Sequence, residues 1–167
     1  IQLLNNKNIT KINKKNIGAS FYNTRWDGRF QIIIKKPLII YDVAHNKESL
    51  KSFLNTFISY IKNKTYKNKY LLCAFEENKK IKTSIKQYER YFDHIICTET
   101  NIRKSMSANN LSQIFKNTKT REIKSIQRAI SYIKENANKE DLVVIIGSHF
   151  IAPFIHRKFK NCFVHNK

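Results

Sequence analysis

Apolar positions along the 167-residue chain alternate between continuous runs and a helical spacing. Gln31–Ile34 and Leu38–Tyr41 are nearly unbroken runs on either side of Lys35-Lys36-Pro37, which predicts a β-hairpin with a short polar turn. The spacing then becomes helical. Leu50, Phe53, Leu54, Phe57, Ile58 and Ile61 make one apolar stripe, with Asn46 as N-cap and Glu48 in the first turn. After a polar loop over 62–68, Lys69–Phe75 reads as a buried strand. Ile81, Ile85, Tyr88 and Phe92 mark the next helix, His94–Cys97 the next strand, and Thr98–Arg103 a loop at its end. Ala108, Leu111, Ile114 and Phe115 predict a further helix, and Thr120–Ile123 a short strand. Lys124-Ser125 then opens a helix with Ile126, Ala129, Ile130 and Ile133 inward. Asp141 leads into Leu142–Ile146, a run suited to burial on both faces. That run ends at Gly147-Ser148 and gives way to a helical pattern of Phe150, Phe154, Ile155 and Phe159. Pro153 fits there only near the first turn.

Strands and helices in this alternation predict an α/β fold with a mostly parallel sheet of about six strands and helices on both faces. The first strand of the hairpin adds one antiparallel edge strand. Residues 1–24 differ, because Asn and Lys dominate and apolar positions are sparse. They read as the end of a preceding domain and a linker, with short helices before Asn5 and over Ile9–Lys15, and residues 25–167 as a second domain. The chain opens on Ile rather than Met, so a longer natural protein is expected.

Composition narrows the class. A hydrophobic content of 41% supports a real core in one domain. No apolar run approaches the ~20 residues that cross a bilayer, and no secretory leader opens the chain. Cys73, Cys97 and Cys162 form no CxxC or Cys/His cluster and read as reduced thiols of a cytoplasmic protein. The net charge of +20 invites a nucleic-acid reading, yet of 32 basic residues only seven are Arg. The lysines are scattered among Asn and Ile, residues that share A/T-rich codons. A salt-sensitive attraction to polyanions is expected, but not a dedicated nucleic-acid partner.

Candidate chemistry gathers where parallel sheets bind ligands, at the C-terminal ends of strands. Asp42 and His45 lie three residues apart at one such end, Asn78 follows another, Arg103 a third, and Gly147-Ser148 a fourth. Glu76 and Glu77 read as loop acids balanced by Lys79 and Lys80 rather than as a cation site. Ser148 is either a plain N-cap or a hydroxyl at an anion-receiving helix N-terminus.

Trp26-Asp27-Gly28-Arg29, then Pro37-Leu38-Ile39-Ile40-Tyr41-Asp42-Val43-Ala44-His45-Asn46, then Gly147-Ser148 resemble the C-terminal domain of folylpolyglutamate synthase and dihydrofolate synthase. That family belongs to the Mur ligase superfamily of ATP-dependent amide-bond ligases. The resemblance implies a Rossmann-like domain spanning about Arg25 to Phe159, preceded by an ATPase domain whose end is residues 1–24. Its activity would be addition of L-glutamate to a folate, to dihydropteroate, or to both, through an acyl phosphate. By position, Arg29 would contact ATP phosphates and Asp42 the ribose hydroxyls, while His45 and Ser148 would hold the glutamate and its reaction geometry. ATP and Mg²⁺ are the implied cofactors, with the metal ligands mostly in the ATPase domain, and a monomer is expected. The sequence departs from the family at Val43, Lys47 and Lys80, and a β-branched Val43 would be strained at positive φ. With glycines only at 18, 28 and 147, no phosphate-binding P-loop is possible, so these 167 residues alone should be inactive. The rival readings are a Mur-type ligase with another carboxylate acceptor and a stand-alone Rossmann-like RNA- or anion-binding module.

Overall fold

The computed structural model describes residues 26–159 apart from 103 and 117. The expectations for residues 1–24, Arg103 and Cys162 lie outside the described residues. Six strands form one sheet: β1 (Gln31–Lys35), β2 (Leu38–Asp42), β3 (Lys69–Cys73), β4 (His94–Glu99), β5 (Lys119–Ser125) and β6 (Leu142–Ile146). Their order across the sheet is β1-β2-β6-β3-β4-β5. Only β1 runs antiparallel, as the predicted edge strand on β2, and its pairing shifts register between Ile32 and Ile34. The other neighbours are parallel, with β6 seated between β2 and β3.

The helices are α1 (Lys47–Ile61), α2 (Lys82–Lys86), α3 (Ala108–Ser112), α4 (Ile126–Asn136) and α5 (Ala152–Phe159). Period-2 alternation divides the strand side chains between two cores. Leu38, Ile40, Leu71, Cys73, Val144 and Ile146 face one side, where Leu50, Phe53 and Phe57 of α1 cover them. Ile39, Tyr41, Leu72, Val143 and Ile145 face the other, under Ile130 and Ile133 of α4 and Ile151 and Ile155 near the C-terminal helix. Fully buried strands explain why β2 and β6 read as unbroken apolar runs.

Three predicted boundaries move. Thr98 and Glu99 belong to β4, not to a loop, because pairing with β5 continues to Glu99 opposite Ser125. For the same reason β5 takes in Lys124 and Ser125, and Ser125 is at once its last residue and the N-cap of α4. The helix expected from His149 starts as a 3₁₀ turn over His149–Ile151 and becomes α-helical at Ala152, which places Pro153 in the first turn. Its buried residues are Ile151 and Ile155, whereas Phe150, Phe154 and Phe159 are half-buried. Cys73 and Cys97 are buried free thiols on neighbouring strands, and burial pushes the Cys73 thiol upward. No helix among the described residues is long and apolar enough to cross a membrane.

Candidate functional site

The loop from Trp26 to Phe30 enters the sheet beside the C-terminal end of β2, because antiparallel pairing puts Gln31 opposite Tyr41. Arg29 and Asp42 therefore share one rim. Two hydrogen bonds clamp the loop to the end of β2: Phe30 N–H donates to Asp42 Oδ2 at 2.8 Å, and Val43 N–H to the Gly28 carbonyl at 2.8 Å. Gly28 N–H in turn donates to Gln31 Oε1 at 2.7 Å. Gly28 has φ +73, and a Cβ there would meet Val43 Cγ1 at 2.6 Å. Val43 itself is not at positive φ, so the strain anticipated for a β-branched residue does not arise. Gly28 instead leaves the space that Val43 fills. Phe30 carries the unusual backbone, at φ +41, and its ring packs on Phe53 and Tyr60. The clamp and the ring contacts hold a conformation that costs on the order of 1 kcal/mol.

Asp42 is 5% exposed, and its second oxygen, Oδ1, accepts Ala44 N–H at 2.8 Å. Burial raises its pKa above the ordinary carboxylate value, while the two backbone N–H donors and the Arg29 charge oppose that shift. Each oxygen keeps a further lone pair for an incoming hydroxyl. Arg29, Phe30, Asp42, Glu48, Ser52 and Phe53 line a cleft of about 470 Å³ that continues to Thr56. The α1 wall escaped the sequence reading. Its signal was there as Glu48, Ser52 and Thr56, a polar row at i, i+4 spacing beside the apolar stripe.

His45 is half-buried just before α1. Its Nδ1 lies 2.9 Å from the Val43 carbonyl, which can only accept, so that bond puts the proton on Nδ1 and leaves Nε2 for another partner. Asn46 caps α1 as expected, accepting Ser49 N–H at 2.8 Å, while the His45 and Asn46 N–H groups donate to Ser49 Oγ. Across the strand boundary, Asp42 pairs in register with Ile146, which brings Gly147-Ser148 beside the Asp42–His45 loop. Gly147 has φ +122, and a Cβ on it would lie 2.1 Å from the Ala74 carbonyl oxygen, so only glycine fits this turn. Ser148 is buried. Its Oγ accepts Phe150 N–H at 3.2 Å, the N-cap alternative, and its carbonyl accepts the Tyr41 hydroxyl at 3.0 Å. Tyr41 also escaped the sequence reading; an aromatic in a buried run carries no sign of what its hydroxyl meets.

Of the remaining predicted positions, Asn78 is exposed in the loop after β3. Glu76 pairs with Lys79 at 3.9 Å. Among the described residues, no three His, Cys, Asp or Glu side chains come close enough together to hold a metal ion.

Comparison with known proteins identifies the family of the domain. The family model of the Mur ligase glutamate ligase domain matches residues 28–149. A dihydrofolate synthase/folylpolyglutamate synthase of Buchnera aphidicola from Acyrthosiphon pisum is 31% identical over 149 residues, covering 89% of this chain and 36% of that protein. A UDP-N-acetylmuramoyl-L-alanyl-D-glutamate–2,6-diaminopimelate ligase of Buchnera aphidicola from Baizongia pistaciae is 30% identical over 138 residues, covering 76% of this chain and 26% of that one. Among solved structures, a bifunctional folylpolyglutamate synthase/dihydrofolate synthase of Yersinia pestis, complexed with AMPPNP and Mn, superposes with a TM-score of 0.74 at 21% identity, covering 89% of this chain and 35% of that chain. The chain thus spans little more than a third of the length of the synthases it matches. With 28–149 matched as one unit, and with the rim of Arg29, Asp42, His45 and Ser148 lying inside or at the edge of that unit, the chain belongs to the Mur ligase family, as its glutamate ligase domain.

Proposed function

We propose that this domain is the glutamate-ligase part of an ATP-dependent ligase that adds L-glutamate to a folate, to dihydropteroate, or to both. The observation that carries the reading is the Asp42 carboxylate, buried yet held toward a cleft by the Phe30 and Ala44 N–H groups, with Arg29 on the same cleft wall. A carboxylate with free lone pairs suits a pair of ribose hydroxyls, and a guanidinium suits phosphate oxygens. His45, with Nε2 unclaimed by the Val43 carbonyl, and Ser148 at the start of the C-terminal helical segment would hold the amino acid, a role their positions at the strand ends support.

In the proposed reaction, ATP phosphorylates the acceptor carboxylate. The glutamate amine then attacks the acyl carbon, the C–N bond forms, and the C–O bond to phosphate breaks. This domain's share is positioning and charge stabilisation, completed when it closes on an ATPase domain. ATP fits the residues present. A divalent metal on the ATP phosphates would draw its protein ligands mostly from the ATPase domain. The relatives support these choices: one solved synthase carries Mn, AMPPNP and L-glutamate. The 30% identical diaminopimelate ligase supports the second reading, a Mur-type ligase with another carboxylate acceptor.

The test is a chimera in which residues 25–167 replace the corresponding third of the Yersinia pestis enzyme. ADP release that requires both glutamate and a pteroate or folate is expected, and Arg29→Ala should raise KM for ATP about tenfold or more. Release that instead requires a UDP-linked peptide would move the protein to the second reading. A folded chimera active on neither would sink both. The 167 residues alone should release no phosphate.

A further inference from the structure

We propose that the edge of the sheet opposite the candidate site, where the parallel strands begin, is a binding strip for the phosphodiester backbone of single-stranded nucleic acid. Followed in sheet order, this edge presents Lys36 in the β1–β2 turn, Lys139 before β6, Lys67 before β3, Arg90 before β4 and Lys119 at the start of β5. The lysines are scattered in sequence, but the topology brings one cation to nearly every strand start. All five are exposed, and none makes an ion pair among the described residues. With strands about 4.8 Å apart, the four steps from β2 to β5 give a row of roughly 19 Å, a track for a chain of phosphates.

Acids on the same edge are mostly engaged by the fold. Asp141 is buried and accepts Asn68 N–H, Asn68 Nδ2 and Asn138 N–H. Asp93 accepts Lys69 N–H and pairs with Lys69 Nζ. The row runs along two clefts of about 480 and 540 Å³ that share Lys67. Half-buried aromatic rings line them: Tyr66 in one, and Tyr91 with His94 in the other, where His94 is stacked on Tyr70. Cations alternating with aromatic surface are what a single strand uses, its phosphates on the charges and its bases on the rings. A duplex keeps its bases stacked inside and could not lay them on these rings, so the rings favour a single strand.

The experiment measures binding of a fluorescein-labelled 12-nucleotide oligouridylate to the 167-residue chain by anisotropy, from low to physiological salt. Two quadruple variants of equal net charge are compared, Lys36→Gln/Lys67→Gln/Lys119→Gln/Lys139→Gln on the edge and Lys51→Gln/Lys82→Gln/Lys124→Gln/Arg128→Gln elsewhere. Only exposed side chains are changed, and circular dichroism checks that both variants fold. The edge variant should lose affinity about tenfold or more, and its log–log salt slope should fall by about 3, as four lost phosphate contacts to a single strand require. The other variant should stay within about twofold. Equal losses in the two variants would reduce the effect to overall charge and overturn the proposal, as would absence of binding at low salt. Inorganic polyphosphate of matched charge should bind about fivefold more weakly, because it has no bases to stack. If it binds as tightly, the strip reads phosphate alone and the nucleic-acid assignment is wrong.

Discussion

The two ends of the sheet are built from the same strands and spend their polar groups differently. At the C-terminal rim the backbone is contorted. Every described residue at positive φ lies there: Gly28 and Phe30 before β1, Asn101 after β4 and Gly147 after β6. Its acids are tied in, Asp42 to two backbone N–H groups and Glu99 to Ala108 N–H, and its hydroxyls brace loops, as Tyr41 does for Ser148. At the opposite edge no described residue needs a left-handed backbone, and the cations project without ion pairs apart from Lys69. A rim arranged to present groups to ligands is preorganised at a cost in stability, whereas an edge of extended lysines is nearly neutral for folding.

Substitutions should separate the two ends by size of effect. The largest is expected for Gly147→Ala, where a Cβ cannot fit against the Ala74 carbonyl and φ is +122. A loss of about 4 kcal/mol or more in urea unfolding is expected, at the diagnostic end of the single-residue range. A loss under about 1 kcal/mol would mean that the β6 turn is free to rearrange and that the rim is less rigid than described.

Asp42→Asn comes next. The amide retains one acceptor oxygen and turns an NH₂ toward the other backbone donor, for a cost of about 1–3 kcal/mol. Its pH dependence carries a distinctive sign. The folded-state pKa of Asp42 is raised, chiefly by burial, so between the unfolded value near 3.9 and the folded value the native state binds more protons than the unfolded one. Stability from this group is thus fully present below that window and lost as pH rises through it. The advantage of the wild type over Asp42→Asn should shrink from about pH 4 upward. A widening advantage in urea titrations over that range would mean that the two N–H donors outweigh burial.

Tyr41→Phe should cost about 1–3 kcal/mol, because the buried Ser148 carbonyl loses its donor and the Ala152 backbone loses an acceptor. In the chimera, that variant should weaken glutamate more than ATP, since Ser148 and not Arg29 loses its brace. Equal effects on the two KM values would break that assignment. Smallest of all, Lys67→Gln at the opposite edge should change stability by no more than about 0.5 kcal/mol, as for surface positions generally. A larger loss in thermal unfolding would show that the edge, too, is structurally committed.

Much of this is legible in the sequence. The apolar runs of β2 and β6 and the 3.6-residue stripe of α1 announce a mostly parallel sheet covered by helices, because burial on two faces and burial on one leave different periods. Asn46 and Gly147 were legible for local reasons: a capping side chain bonds within its own turn, and a strand that must turn at once calls for glycine. Shorter elements were misjudged where tertiary pairing outweighed local pattern, as when β4 and β5 extended one another to Glu99 and Ser125.

The sequence by itself determined the order of elements, the two apolar faces and the positions of Asp42, His45 and Ser148 at strand ends, since each follows from periodicity and turn chemistry within a few residues; Arg29 was reached through the family resemblance. Only the tertiary structure decided that Phe30 N–H closes on Asp42, that Val43 fills the space above Gly28, that the Tyr41 hydroxyl reaches Ser148, and that scattered lysines line one edge. Those relations join residues from 12 to 107 positions apart, and contacts across such separations follow from which strands become neighbours, a choice made by packing the whole sheet.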